Sequence, residues 1–436
     1  MIDIKLIRDN PELVKDNIRK KFQEHKIKLV DELIELDKKI RELKGEADSL
    51  RHKRNILSEN INQLKKDGKD IRSVIEEVKS IPQKIKDIES EMTALEYDFN
   101  SKIIQIPNIM HDSVPIGRDA SENVEESRHG HYRAIDFEVK SHVAVAESLG
   151  VADFESSART SGNGFYYIEG DLALLNQALI RFGIDKMISK GFFYVETPLM
   201  LNNNVIKNVT DLNDMKNQIF KIQDEELYLI GTSEHSMIGR YINTVIDEDN
   251  LPIKNTSYSM CFRREIGSHG IDEKGLFRTH QFNKIEMIVL CKPEDSMKFF
   301  EEMKNISIEI FTELEIPIRV LKICSGDLGD LKHCQVDIEA WSPRKKEYFE
   351  VGSCSNLTDA QARRLNIKYF DKHNNKCFVH TLNNTAIATS RAMVAILENF
   401  QNADGSVDIP KVLQKYMHGK KKIEKSKLKR QISVTS

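Results

Sequence analysis

Apolar residues between Leu33 and Phe99 recur at alternating steps of three and four, and no other feature of this chain constrains its fold as tightly. Leu33, Leu36, Ile40, Leu43, Ala47, Leu50, Leu57, Ile61 and Leu64 keep the rhythm, with Arg54 as the one interruption. The pattern restarts at Ile71 and runs through Val74, Val78, Ile81, Ile85, Ile88, Met92, Leu95 and Phe99. A mean spacing of about 3.5 lays a narrow apolar seam along a helix, which is the signal of a coiled coil. The polar turn Lys65-Lys66-Asp67-Gly68-Lys69-Asp70 is short, so the two helices are expected to fold back antiparallel within one chain. About 30 residues per helix, rising 1.5 Å each, give a rod on the order of 50 Å long. Its core is too thin for a domain of its own, and it is expected to project from a larger body. Pro82 must either kink the second helix or begin it afresh. Before the hairpin, Asn10 and Pro11 read as the cap and first residue of a short helix.

The rest of the 436 residues has a different rhythm. Pro107–Glu126, with Pro115 and Gly117 among polar residues, reads as a linker. Asp171 is expected to cap an amphipathic helix (Leu172, Leu175, Leu179, Phe182) that stops at Lys190-Gly191. Period-two segments follow at Phe192–Met200, Leu227–Glu234, Ser257–Glu265, His280–Cys291, Ile318–Cys324, Gln335–Ser342, Glu347–Asn356 and Cys377–Asn383. Few helices separate them, so an antiparallel sheet is favoured over a parallel doubly wound one. The fold class is therefore α+β: an antiparallel sheet flanked by helices, behind an N-terminal antiparallel two-helix arm. Expected boundaries are an N-terminal domain at 1–106 with its arm at about 27–103, a linker at 107–130, a main domain at 131–418 and a basic tail at 419–436.

Composition narrows the function. The net charge of −3 advertises no nucleic-acid partner, so any such partner must be met by local patches. From Lys420 to Arg430 seven Lys or Arg stand against one Glu, a solvated tail or an electrostatic contact for nucleic acid. Asp3, Lys5 and Arg8 interrupt what a secretory signal would need at the N-terminus. No apolar run approaches the roughly 20 residues that span a bilayer. The six cysteines are scattered without a C-x-x-C pair, as expected of reduced thiols in the cytoplasm. There is no glycine-rich phosphate loop of either common type.

Four short elements carry chemistry. Cys261-Phe262-Arg263-Arg264-Glu265 precedes a Gly-bearing loop and Phe277-Arg278-Thr279-His280-Gln281-Phe282-Asn283-Lys284-Ile285-Glu286. On paired strands Arg263 and Glu265 share a face, as do Arg278, His280, Phe282 and Glu286, with Phe282 and Glu286 roughly 13 Å apart. An arginine for phosphate, an aromatic for a base and a carboxylate further along would line one elongated ligand. The alternative is a solvated face laced with cross-strand ion pairs. Thr232-Ser233-Glu234 either holds a ligand's ammonium or caps a helix. Glu350-Val351-Gly352-Ser353 either offers oxygen ligands to Mg²⁺ or is an ordinary strand end. Asn383-Asn384-Thr385 through Ser390-Arg391 places a guanidinium in an apolar setting, where it must pair with a carboxylate or with a ligand anion.

At these four elements, and over nearly its full length, the sequence resembles the class II aminoacyl-tRNA synthetases and, within them, the seryl-tRNA synthetase family. F-R-x-E followed by R-x-H-Q-F-x-K-x-E is similar to that family's second signature motif. The stretch Asn383–Arg391 is similar to the third, and Gly191–Pro198 to the first, which lies at a dimer interface. The resemblance implies that Arg263 holds the α-phosphate of ATP, Glu265 contacts the adenine side and Phe282 stacks on adenine with Thr279 nearby. It implies that Arg278 and Arg391 grip the β- and γ-phosphates, with Arg264, Val351 and Gly352 beside the nucleotide. Glu350 and Ser353 would hold Mg²⁺, and Thr232, Ser233, Glu234, Glu286 and Thr385 would surround L-serine. It further implies a homodimer, a tRNA-Ser partner met by the arm at its long variable arm, and the zinc-free branch of the family. Arg264, Gly231, Gly352 and the Ser268-His269-Gly270 loop depart from commoner choices. Two alternatives remain: a class II relative loading another amino acid or another acceptor, and a non-catalytic coiled-coil scaffold.

Overall fold

A computed structural model describes residues 1–68, 70–210, 217–265 and 275–426, in two units, Met1–Ile109 and Met110–Ser436. The first unit opens with α1 (Ile4–Asp9) and α2 (Pro11–Lys20). Asn10 caps α2 by accepting from the Leu13 amide at 3.2 Å, and Pro11 takes the position where no donor is needed. The long hairpin is α3 (Ile27–Lys66) and α4 (Arg72–Ile103). Gly68 turns the chain at φ +68°, a conformation that costs glycine nothing. Lys69 of the expected turn lies outside the described residues. Pro82 sits inside α4, which runs through it as one helix. Full burial is confined to Val30, Leu33 and Ala47 of α3 and Ile81, Ile85 and Ile103 of α4. Toward the tip two helices alone cannot enclose the seam. Lys39–Glu91 (2.7 Å) and Arg51–Glu89 (2.6 Å) pair across it at the surface, where each contributes little. At its base the hairpin packs on Ile7, Val14 and Ile18.

The second unit is built on eight strands. They are β1 (Val124–His129), β2 (Phe193–Tyr194), β3 (Ile253–Phe262), β4 (Gln281–Cys291), β5 (Ile318–Lys322), β6 (Cys334–Ser342), β7 (Glu347–Asn356) and β8 (His380–Ala388). Their order is β1-β5-β6-β7-β8-β4-β3-β2, antiparallel except for the short β2–β3 pairing. The helices that matter for the site are α5 (His142–Leu149), α6 (Gly170–Ser189), α7 (Ser233–Gly239), α8 (Ser296–Glu313) and α9 (Thr389–Asn399).

Strand β4 shows how the fold places the site. Ile285, Met287 and Val289 point into a core made by Leu175 and Leu179 of α6, Met303 of α8 and Ile396 of α9. Ile288 and Leu290 point the other way, into a second core with Ile238 of α7. Because side chains alternate, Phe282, Lys284 and Glu286 share the face of Ile288 and Leu290, where the second core gives out. Two bulges border that opening. The β6–β7 register skips Val351, and the β8–β4 register skips Ala386. Such an extra residue bends the strand and re-aims its neighbours, here Glu350, Gly352 and Thr385.

The structure differs from the sequence expectations in several places. The 107–130 linker ends in β1, a polar edge strand paired with β5, whose burial gives no alternation to read. Leu227–Glu234 is a strand only to Leu229, because the Thr232 hydroxyl caps α7. Cys377–Asn383 straddles a short strand, Lys376–Phe378, and β8, which continues to Ala388. Helix α6 begins at Gly170 with Glu169 as its cap, so Asp171 lies in its first turn. Part of the basic tail is folded: Lys422–Ile423 pairs with Val407–Asp408 and Ile423 is fully buried. Residues 427–436 lie outside the described ones. All six cysteines are free, and five are buried. Among the described residues no helix is long and apolar enough to cross a membrane.

Candidate active site

The open end of the β4 face is a cleft with about 560 Å³ unfilled by protein atoms. Arg263 leaves the end of β3 with its Nε donating to the Gly231 carbonyl at 3.1 Å and its guanidinium 5.4 Å from the Phe282 ring centre. The carbonyl holds the Nε edge of the guanidinium, and Arg263 lines the cleft. Arg278 stands 3.6 Å from Glu265, and its buried Nε–H has no partner among the described residues. Arg391, in the first turn of α9, donates to the Glu350 backbone oxygen at 2.7 Å and to its carboxylate at 3.0 Å. The Arg391 guanidinium also lies 5.6 Å from the Phe277 ring, which meets Phe349 edge-on at 5.4 Å. Crowding by protein works to raise the Glu350 carboxyl, but the charge and hydrogen bond of Arg391 outweigh it and hold the group below its ordinary value. Three guanidinium groups thus converge on one cleft lined by two aromatic rings, Phe277 against Arg391 and Phe282 against Arg263.

The inner end is acidic. Thr232 both caps α7 and donates to the Glu286 carboxylate at 3.2 Å. Lys284, one strand pleat away, pairs with the same carboxylate. Glu234 accepts from Gln361 at 3.2 Å; burial and the nearby charge of Glu286 push its pKa up to about 7. Thr385 sits opposite Glu286 in the β8–β4 register. His235, buried near Arg263 and Lys284, is pushed down to about 3 and stays neutral. Beneath Glu350, Asp337 takes hydrogen bonds from Gln335 (2.6 Å) and Ser353, and burial with the charge of Glu350 raises it to about 7.

Comparison with known proteins decides the family. Residues 219–400 match the tRNA synthetase class II core domain (G, H, P, S and T), and residues 1–110 match the seryl-tRNA synthetase N-terminal domain. A serine–tRNA ligase of Methanospirillum hungatei is 47% identical over 422 residues, which is 96% of this chain and 99% of the relative. The chain belongs to the seryl-tRNA synthetase family. The crystal structure of seryl-tRNA synthetase from Pyrococcus horikoshii complexed with ATP superposes with a TM-score of 0.92 at 42% identity, covering 98% of this chain and 100% of that one. The cytoplasmic serine–tRNA ligase of Naegleria fowleri in complex with AMP gives 0.87 at 34% identity over 97% and 99% of the two chains.

Against the seryl-tRNA synthetase motifs, the structure brings Arg263, Glu265, Arg278, Thr279, Phe282, Glu350, Val351, Gly352, Thr385 and Arg391 to one cleft lining. Thr232, Glu234 and Glu286 lie together at its inner end, and Ser353 lies behind it, opposite Asp337. Two residues go elsewhere. Arg264 is exposed, with its amide bonded to the Gln218 carbonyl, and the Ser233 hydroxyl turns to the Ser257 carbonyl at 3.4 Å. Ser268-His269-Gly270 lies outside the described residues. Sequence reasoning missed Lys284, Phe277, Gln361 and Asp337. Lys284 was within reach, being two residues from Glu286 on a strand and so on the same face. Gln361 meets Glu234, and Asp337 meets Ser353 and Glu350, only through tertiary packing, whereas Gln335 is two residues from Asp337 on one strand face.

Proposed function

We propose that this chain activates L-serine with ATP to seryl-adenylate and transfers the seryl group to the 3′-hydroxyl of tRNA-Ser. The observation that carries the reading is the convergence of Arg263, Arg278 and Arg391 around Phe282, with a carboxylate-lined pocket beside them. A bent triphosphate meets the guanidinium forks, adenine meets the Phe282 face, and an ammonium meets Glu234 and Glu286. In the first step the serine carboxylate attacks the α-phosphorus and pyrophosphate leaves. In the second the tRNA hydroxyl attacks the acyl carbon and AMP leaves. Neither step requires a protein nucleophile. Arg263 neutralises charge at the α-phosphate, Arg278 and Arg391 hold the leaving pyrophosphate, and the pocket orients the carboxylate for in-line attack. Selectivity for serine over alanine follows from polar groups that only a hydroxyl satisfies.

Glu350 and Ser353 offer the oxygen ligands that Mg²⁺ prefers. The crowding of Asp337 against Glu350, which holds Asp337 protonated up to about 7, fits a place that a cation would relieve. Bound there, Mg²⁺ would supply charge neutralisation for the phosphates. The hairpin α3–α4 is assigned to the variable arm of tRNA-Ser, in the cytoplasm, where five buried thiols need no oxidant. Homodimerisation through the 191–198 segment is supported by Phe193, 69% exposed, with Leu199 and Met200 exposed beside it.

The deciding experiment is amino-acid-dependent exchange of labelled pyrophosphate into ATP, run with several amino acids and followed by tRNA charging. Serine alone should support both. Exchange with another amino acid, exchange without charging, or no exchange would point respectively to another substrate, another acceptor or a scaffold. Arg263→Ala should lower exchange by orders of magnitude with the fold intact; near-normal exchange would contradict the assignment.

A further inference from the structure

Outside the cleft, a buried polar pair joins α5 to α9. The side chains of His142 and Glu398 are 5% and 2% exposed and stand 3.8 Å apart, Nδ1 to Oε1. Glu398 also accepts from the Ser342 hydroxyl and from Arg344 Nε at 3.2 Å. His142 Nε2 accepts the Leu276 backbone N–H at 3.2 Å. An Nε2 that accepts carries no proton, so the neutral ring holds its proton on Nδ1, on the side of Glu398. Burial works to raise Glu398, while His142, Ser342 and Arg344 together hold it below the usual carboxylate range, as an anion that favours this tautomer.

What the bonded amide anchors gives the pair its interest. Leu276 is followed at once by Phe277, which underlies Arg391, and by Arg278, which reaches the cleft. The chain arrives flush against the ring. Gly275 has φ +86°, and a Cβ there would come within 2.7 Å of His142 Nε2 and 2.5 Å of Val143 Cγ2. On the other side, Glu398 stands seven residues beyond Arg391 on α9, two helical turns along one face. One line of contacts, a 3.8 Å approach of the otherwise unpartnered Nδ1 to Glu398 and a hydrogen bond from the Leu276 amide to Nε2, therefore links the helix that carries one arginine to the backbone that carries another.

We infer that His142, oriented by Glu398, is a positioning residue for the Phe277-Arg278 segment, fixing the spacing of Arg278 from Arg391 and so the fit of the triphosphate. The inference rests on the nucleotide reading of the cleft. Neither His142 nor Glu398 lines the cleft, while Phe277, Arg278 and Arg391 do, so the effect should fall on ATP and spare serine.

The test uses the full chain and compares KM for ATP with KM for serine in pyrophosphate exchange. His142→Leu keeps bulk and removes the acceptor; it should raise KM for ATP roughly tenfold or more, since small misplacements at a reacting centre are costly, while KM for serine moves less than about twofold. His142→Gln restores an acceptor near the Nε2 position and should recover most of the loss. If His142→Leu fails to fold, Glu398→Gln, which keeps the packing and removes the charge, should give a smaller rise in KM for ATP alone. Equal changes in both KM values, an unchanged KM for ATP in folded His142→Leu, an unchanged KM for ATP in Glu398→Gln, or no recovery in His142→Gln would overturn the inference. Wild-type protein without serine-dependent exchange would instead remove the reading beneath it.

Discussion

Arg391 reaches Glu350 twice, donating to its backbone oxygen at 2.7 Å and to its carboxylate at 3.0 Å, so the guanidinium is set in place by the strand and not by the side chain alone. Both bonds leave from one nitrogen, Nη1, so that corner of the guanidinium is held by Glu350. Lysine brings a single ammonium, which cannot hold Glu350 and also present a second planar edge to a phosphate. Arg391→Lys should therefore lower kcat/KM for exchange by about 10²-fold, with the thermal unfolding temperature nearly unchanged. Activity close to wild type would show that charge suffices there and that the fork geometry does not matter.

Phe282 should behave differently. Its ring faces the Arg263 guanidinium at 5.4 Å and offers a platform for a base. Stacking a base on an aromatic side chain contributes about 1–3 kcal/mol, so Phe282→Ala should raise KM for ATP roughly 10- to 100-fold. Phe282→Tyr should keep most of the affinity. The check is the same exchange assay with ATP varied. An alanine variant that binds ATP normally, by calorimetry, would remove the adenine from this position.

How much of this was legible in the sequence depends on what kind of signal each residue leaves. The hairpin was readable because its seam repeats over many turns. The shared face of Phe282 and Glu286 was readable because a strand alternates, and the same rule covers Lys284. The bulges that skip Val351 and Ala386 were not, since one extra residue leaves no mark in a short pattern. Strand β1 was hidden because Glu125, Glu126 and Arg128 make a polar edge with nothing to bury. The Thr232-Ser233-Glu234 segment carried both of its readings at once: the Thr232 hydroxyl caps α7 and also bonds Glu286. His142 and Glu398 were out of reach, because their meeting is a property of how α5 and α9 pack.

The acidic end of the cleft predicts a pH dependence. Glu234 has its pKa raised to about 7, first by burial and then by the charge of Glu286. A serine ammonium needs the carboxylate form, so the proton must leave before or during binding. KM for serine should thus fall as pH rises through about 7 and level off above it, with about a tenfold difference between pH 6 and pH 8. Folding stability runs the opposite way. A folded pKa above the unfolded value of roughly 4.3 means the folded state holds the proton more tightly. That contribution is present below about 4.3 and is lost as pH climbs toward 7. Glu234→Gln should then flatten the serine profile and unfold at a higher temperature than wild type at pH 8. A serine KM without inflection near 7 would reassign the ammonium contact.

Glu286 is expected to be the more damaging loss. It joins Thr232, Lys284 and the Thr385 register position in one place, so its removal strands Lys284 in a buried site. Glu286→Ala should raise KM for serine far more than KM for ATP, by at least about tenfold in their ratio. Equal weakening of both substrates, measured side by side, would count against a serine-side role.

The hairpin allows the two steps of the reaction to be separated. Lys39 and Glu91 face each other across α3 and α4 at 2.7 Å, so the chain can be rejoined there by a short glycine-bearing turn. The shortened protein keeps the buried base of the hairpin, Val30, Leu33 and Ile103, and removes the seam beyond it, including the buried Ala47, Ile81 and Ile85. Serine-dependent pyrophosphate exchange needs only the cleft and should stay within about twofold. Charging of tRNA-Ser should fall by roughly 10²-fold or more if the arm supplies binding energy used only in the second step. Loss of exchange and charging together, in a protein that still unfolds cooperatively, would mean that the arm supports the first step as well. Unchanged charging would mean that tRNA-Ser is held elsewhere.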